Sequence, residues 1–296
     1  MENNYSNDTK LDLEYLQHIN KTVDSLSFFG DWVNHVDELK EQFKSASPFP
    51  FVVIPNFLNT EYAERVFEQF PTNVYDSLWH KYNNPIEVKY AHDDVNLLPD
   101  DVKNYFYHLS SEKMVSVFSK LTGIEDLEYD EYLHGAGLHA HPRYGRLSVH
   151  LDYEKHPVSG KERRTNVILF MTKDWNPEWG GANELWDNTA QNCMVKNEVT
   201  FNAAVVFKTN DISWHGVPDI MKCPEDTFRK SMAFYYVSPL NAQKPEEEYR
   251  KKAKFVKRPF DVTTEGVDKL YEIRPNRRIT QADMDLHAPE WRREDL

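Results

Sequence analysis

Cysteine is scarce in this chain: of 296 residues only Cys193 and Cys223 carry thiols. Two cysteines give no basis for a disulfide framework or a Cys-rich zinc site, and their scarcity fits a reducing compartment, so a cytoplasmic location is expected. Long apolar runs are missing too, with no stretch near the ~20 residues that a membrane span requires. The opening segment MENNYSNDTKLDLEY has neither a basic flank nor an apolar core, so neither secretion nor membrane insertion is expected. Positive charge is also short. Lys and Arg number 35 against 48 Asp and Glu, a formal charge of −13, which would on average repel a phosphate backbone and makes nucleic acid an improbable partner. No internal repeat is visible, and nothing in the sequence fixes the oligomeric state.

What is present is apolar and aromatic material, 40% and 14% of the residues, enough for a substantial core. Helical spacing runs through Leu16, Ile19, Val23 and Leu26 and again through Trp32, Val36, Leu39 and Phe43, interrupted near Gly30; two amphipathic helices are expected. Phe51 to Ile54 reads as a short strand. A helix follows, capped by Asn59 or Thr60 and running to Phe70. Residues 71–109 are polar, aromatic and irregular, with turn signals at Asn83-Asn84-Pro85 and Pro99-Asp100-Asp101, and predict a long loop with short elements, able to cover a pocket. Ser110 or Ser111 caps a further helix that ends at Gly123.

Beyond residue 130 the chain changes to short runs rich in Val, Ile, Phe, Tyr and Trp: 147–153, 165–171, 182–186, 203–208 and 231–237. Strands at this spacing, with helices kept N-terminal, predict a mainly β fold of sandwich or barrel type with supporting α-helices. After Pro239 the chain turns polar and charged. Its run Arg250 to Arg258 (RKKAKFVKR) reads as a solvated helix face.

Three His-x-Asp triplets occur, at His35, His92 and His150. Roughly one is expected by chance, so context decides. His35 and Asp37 lie in a helical pattern, where positions two apart point roughly 200° apart around the axis; they are assigned to the surface. His92 and Asp94 fall in the irregular segment and are expected to face solvent. His150 and Asp152 differ, because LSVHLDY (147–153) reads as a strand and positions two apart on a strand share a face. A second histidine would complete a two-His, one-carboxylate arrangement suited to Fe(II) and oxygen activation. His215 is the natural candidate, since it follows the apolar strand AAVVFKT and a turn. Arg229 and Ser231 likewise share a strand face, and a guanidinium fork beside a hydroxyl suits the distal carboxylate of 2-oxoglutarate.

The motifs PFPFVVIPNFL, HGAGLH (134–139), LSVHLDY, RRTNVILFMTKDWNPEWGGANELWD (163–187), FNAAVVFKTNDISWHGVPD (201–219) and FRKSMAFYYVS (228–238) together resemble the prolyl 4-hydroxylase-like branch of the 2-oxoglutarate and Fe(II)-dependent dioxygenases. The resemblance covers about Phe49 to Val237. It implies a double-stranded β-helix, or cupin-like jelly roll, over 49–240, with 1–48 as a helical segment packed on it and 241–296 as a C-terminal extension. It also implies His150, Asp152 and His215 as iron ligands and Arg229 and Ser231 on the co-substrate. Asn166 matches a position that lines the 2-oxoglutarate pocket, and Gly180-Gly181 a tight turn before the next strand. The implied cofactors are Fe(II), 2-oxoglutarate and O2, with ascorbate admitted as a reductant.

Leu147 and Phe170 stand where related chains often have tyrosines, so polar groups toward 2-oxoglutarate are sought elsewhere, in His139 and His141 on the preceding strand. Trp175, Trp186 and Trp214 are assigned to packing. The implied reaction is hydroxylation of a C–H bond with release of succinate and CO2. The first expected substrate is a prolyl residue in a protein or peptide; alternatives are a small amino acid or sugar-linked metabolite and, from another class, a non-catalytic jelly-roll binding module.

Overall fold

The structure, a computed structural model, describes residues 10–293. In chain order its elements are α1 (Leu13–Thr22), α2 (Val36–Ser45), β1 (Phe51–Ile54), α3 (Thr60–Gln69), β2 (His80–Asn83), β3 (Glu87–His92), α4 (Asp100–Ser110), α5 (Glu112–Thr122), β4 (Glu128–Tyr129), β5 (Gly137–His141), β6 (Arg146–Leu151), β7 (Glu162–Phe170), β8 (Asn183–Trp186), β9 (Cys193–Asn197), β10 (Ala204–Lys208), β11 (His215–Val217), β12 (Arg229–Ser238), β13 (Lys254–Phe255), α6 (Glu265–Ile273) and α7 (Gln281–His287). The strands join into one antiparallel sheet ordered β1-β10-β7-β12-β5-β3-β6-β11-β8-β9, which curls into a nearly closed barrel. This is the jelly roll expected from the sequence.

Period-two alternation divides the strands between two layers. On β7, β10 and β12 the residues Val167, Leu169, Ala204, Val206, Met232 and Phe234 face the helices and share a core with Leu16, Phe43, Tyr62, Val66 and Phe118. Their neighbours Phe170, Val205 and Phe207 point into the barrel with Leu185 and Val217. A slip of one residue in register would exchange these faces, so the pattern of apolar residues specifies the pairing. The helix ends are fixed as their residues suggest: Asn59 accepts from the Tyr62 N–H and Ser111 from the Met114 N–H, and Gly123 closes α5 with φ +73°.

Three expectations need correction. Residues 71–109 do not form a loop over a pocket. They contain β2, β3 and α4, and β3 is an interior strand paired with β5 and β6. Its sequence EVKYAH hid this, because Glu87 and Lys89 line the barrel cavity where an apolar alternation would otherwise be seen. His92 is accordingly buried, at 2% exposure, with Trp79 edge-on against its ring, while Asp94 is only partly exposed and caps a short turn at Asn96. The basic run 250–258 is not a helix face either. Lys254–Phe255 forms β13 on β6, Arg250 donates to the Asp152 carbonyl at 2.6 Å, and Arg258 pairs with Asp219 and Asp261. Beyond it, α6 and α7 pack Leu270 and Met284 against Ile86 and Phe255.

Candidate metal centre and co-substrate pocket

β6 and β11 are antiparallel neighbours with His150 and His215 directly opposite each other. Cross-strand partners lie close enough for side-chain contact, and the imidazole centroids are 4.3 Å apart. Asp152 follows His150 on the same face, so the three side chains converge. The His150 Nε2 lies 3.7 Å from Asp152 Oδ1, and the His215 Nε2 lies 3.8 Å from Asp152 Oδ2. All three residues are buried, and their donor atoms fall within 4.8 Å of one another.

The imidazoles are prepared for a cation. Each Nδ1 sits 2.9 Å from the carbonyl of the residue two before it, Ser148 for His150 and Ser213 for His215. A carbonyl only accepts, so Nδ1 carries the proton and the Nε2 lone pair is left facing the centre. Burial, together with the neighbouring His215, holds the His150 pKa down to about 3, which keeps that ring neutral. For Asp152 burial acts against the charge, but His215, Arg163, His150 and a hydrogen bond from Asn166 outweigh it and hold the carboxyl below its ordinary range. Two imidazole Nε2 atoms and an ionised carboxylate converging on one point suit one divalent ion with open positions.

The backing of the cluster comes from both sides of the chain. Phe255 on β13 stacks on His150 at 4.8 Å and 17°, and Phe207 on β10 lies 4.6 Å from His215. The Asn166 amide donates to Asp152 Oδ2 at 3.3 Å, while its own oxygen is buried without a partner. Arg163 lies between the rings of Tyr153 and Tyr235, with its Cζ 3.6 and 3.4 Å from their centroids, and donates to the His134 carbonyl at 2.6 Å. Its Nη1 is 3.9 Å from Asp152 Oδ1. Arg163, Tyr153 and Tyr235 were given no role from the sequence. The signal was present in alternation, since Tyr235 continues the face that starts at Arg229.

From the cluster a cavity of about 410 Å³ extends along β12, floored by Arg229 and Ser231. Arg229 is 2% exposed and donates from Nε to the Gly181 carbonyl at 2.6 Å and from Nη1 to Ser231 Oγ at 3.4 Å. No carboxylate among the described residues pairs with it, and burial alone lowers its pKa to about 10. An unpaired buried cation is costly, so this guanidinium is arranged for an anion that the chain itself does not supply. Phe170 packs beneath it, 5.0 Å from Cζ.

β5 brings His139 opposite Ser231 and His141 opposite Arg229. Both rings line the cavity, and burial, then the charges of Lys89 and Arg229, push both well below the usual histidine range. Both nitrogens of His141 lack a hydrogen-bond partner, so this ring has a donor available to the cavity. Leu147 lines the opposite wall. The three tryptophans Trp175, Trp186 and Trp214 are buried and do not face the cavity. His35 and Asp37 lie on the surface.

No curated protein sequence matches the chain. Among solved structures it is similar to a prolyl hydroxylase from Trichoplax adhaerens in complex with a hypoxia inducible factor peptide fragment, with 16% identity and a TM-score of 0.53 over 72% of this chain and 96% of that one. It is also similar to a prolyl 4-hydroxylase from Phytophthora capsici, with 16% identity and a TM-score of 0.51 over 86% and 76% of the two chains. A non-haem α-ketoglutarate-dependent epimerase of nogalamycin biosynthesis, SnoN, shares 10% identity and a TM-score of 0.50 over 78% and 88%. At such identities these likenesses speak to the fold. Residues 136–237, the strands that carry both the His-Asp-His cluster and the buried guanidinium, match the family model of the 2OG-Fe(II) oxygenase superfamily, a match that implies Fe(II), 2-oxoglutarate and O2 as cofactors, with His150, Asp152 and His215 present to hold the metal.

Proposed function

We propose that the protein hydroxylates a C–H bond of its substrate with release of succinate and CO2, and that the substrate is a prolyl residue in a protein or peptide. One observation carries the chemistry: Arg229, buried and without a counter-carboxylate, faces the same cavity as the three metal-type donors. In this reading His150, Asp152 and His215 hold iron, which when bound with co-substrate and O2 supplies the oxidising power. The protein's own residues bind and orient. Arg229 and Ser231 grip the distal carboxylate of 2-oxoglutarate, His139 and Asn166 line its flank, and the Nδ1 contacts of the two histidines fix the ring orientation. Burial of the cluster excludes water from the reacting centre. The two cysteines, neither in a disulfide, support a reducing, cytoplasmic setting as part of the same proposal.

The prolyl assignment draws on the sequence resemblance and on the peptide-bound prolyl hydroxylase among the similar structures. A non-catalytic binding module is disfavoured because the complete donor set and the anion-seeking arginine are both retained. The test is succinate release from 2-oxoglutarate with Fe(II), followed by mass spectrometry for a +16 Da product across peptide and metabolite libraries. The expected result is succinate formation with a hydroxylated prolyl peptide, and loss of bound metal and of turnover together in His150→Ala. Normal 2-oxoglutarate consumption by His150→Ala would overturn the ligand assignment. A hydroxylated metabolite in place of a peptide would overturn the prolyl one.

A further inference from the structure

Acids outnumber bases 48 to 35 in this chain, yet the cavity reverses that balance: seven Lys and Arg side chains line it against Glu87 and Asp152. Four of the seven are accounted for. Arg229 serves the co-substrate in the reading above, and Arg163 is held between two tyrosine rings. Arg274 pairs with Glu87 at 2.5 Å, and Arg278 packs on the Tyr82 ring, which the Lys89 ammonium also approaches at 5.3 Å without thereby losing its charge. Lys89, Lys251 and Lys252 remain, and among the described residues none of them makes an ion pair.

These lysines come from two walls. Lys89 projects from β3 into the cavity that His139, His141, His150 and Asp152 also line, with the Glu87 carboxylate its strongest charged neighbour. Lys251 and Lys252 are exposed at the rim, on the segment that leads into β13. The co-substrate does not need them, because one of its carboxylates is assigned to Arg229 and Ser231 and the other to the metal. We propose that the hydroxylated substrate is anionic, carrying a carboxylate or phosphate that Lys251 and Lys252 draw in and Lys89 holds next to the C–H bond attacked. This deepens the oxygenase reading and rests on it. A concave, low-dielectric wall of one sign concentrates ligands of the other sign, and in a protein of charge −13 such a local reversal repels nothing but cations.

The anion has two sources, acidic residues flanking a proline or the acid group of a small metabolite, and both are probed. The full chain loaded with Mn(II) and 2-oxoglutarate is titrated with proline peptides flanked by Asp and Glu, with their Asn and Gln counterparts, and with sugar phosphates beside the neutral sugars. At least one anionic set is expected to bind about tenfold or more tighter than its neutral counterpart, and the peptide and sugar arms tell which source is used. That preference should shrink as salt rises, since rim charges are screened beyond a Debye length of about 8 Å at physiological ionic strength. Lys251→Gln with Lys252→Gln should abolish it, and Lys251→Arg with Lys252→Arg should keep it. Equal or absent binding of every anionic probe, or an undiminished preference in the double Gln variant, overturns the proposal, as does a Lys89→Gln variant weakened only toward 2-oxoglutarate. Failure of the underlying reading shows separately, as Mn(II)-loaded protein that does not bind 2-oxoglutarate when no probe is present.

Discussion

Arg229 is the residue whose energetics depend most on what the chain lacks. Its charge is buried, its Nε is spent on the Gly181 carbonyl, and only Ser231 approaches the rest of the fork. Charge-assisted hydrogen bonds contribute about 1.5–3 kcal/mol each. Arg229→Ala is therefore expected to raise the KM for 2-oxoglutarate roughly 10- to 100-fold with a smaller change in kcat. The same variant should lose the rise in Tm that 2-oxoglutarate gives the Mn(II)-loaded parent, because a ligand stabilises only what it binds. An unaltered KM would remove Arg229 from the pocket's function. This residue was legible in the sequence along with Ser231, His150 and Asp152, since each pair sits two apart in an apolar strand. Lys89 was not, because its strand carries charge on the cavity face and so lacks the alternation that marks a strand.

At the scale of elements, the turn before β8 positions the guanidinium. Gly181 has φ +87°, and a Cβ there would stand 3.2 Å from both Arg229 Cδ and the Trp175 ring. Gly181→Ala thus combines a strained backbone with a displaced arginine. It should cost about 1–3 kcal/mol in stability, read as a lower denaturant midpoint, and should raise the KM for 2-oxoglutarate. A wild-type KM would show that the turn does not set the arginine's position. The Gly-Gly pair was visible in the sequence as a turn, but its grip on a residue 48 positions away was not. α4 escaped notice for a different reason. Nearly all round it is buried, from Val102 through Tyr105, Phe106, Tyr107 and Leu109, so no single apolar stripe marks it, and the Asp and Pro at its start read as a turn.

For the molecule as a whole, the helical layer makes folding sensitive to acid. His108 on α4 is 2% exposed, stacked on Phe28 at 4.0 Å, and burial lowers its pKa to about 4 from an ordinary value of 6.5. Between those pH values the unfolded chain takes up a proton that the folded chain refuses, so stability falls as pH drops from 6.5 and the loss is complete below about 4. The full effect is on the order of 3 kcal/mol. Urea midpoints measured from pH 7 to pH 4 should decline, with His134, His139, His141 and His150 adding to the loss in the same direction, and His108→Gln should make the decline shallower by its own share; an equal slope in the variant would assign the sensitivity to those other groups. The jelly roll itself was legible, because its strands are separate apolar runs with turns between them. How the last fifty residues fold back was not, since a strand of two residues in a basic run has no period to read.

That return has a temporal side. His150 and Asp152 are made halfway along the chain, but Phe255, which covers one of them, and Arg250, which fastens the backbone of the other, are made about a hundred residues later. At a ribosomal pace of roughly 5–20 residues per second, the half-built centre waits on the order of five to twenty seconds for its outer wall. Iron can be enclosed only once the segment through Phe255 has emerged, so closure of the centre trails the making of its first ligands by about a hundred residues.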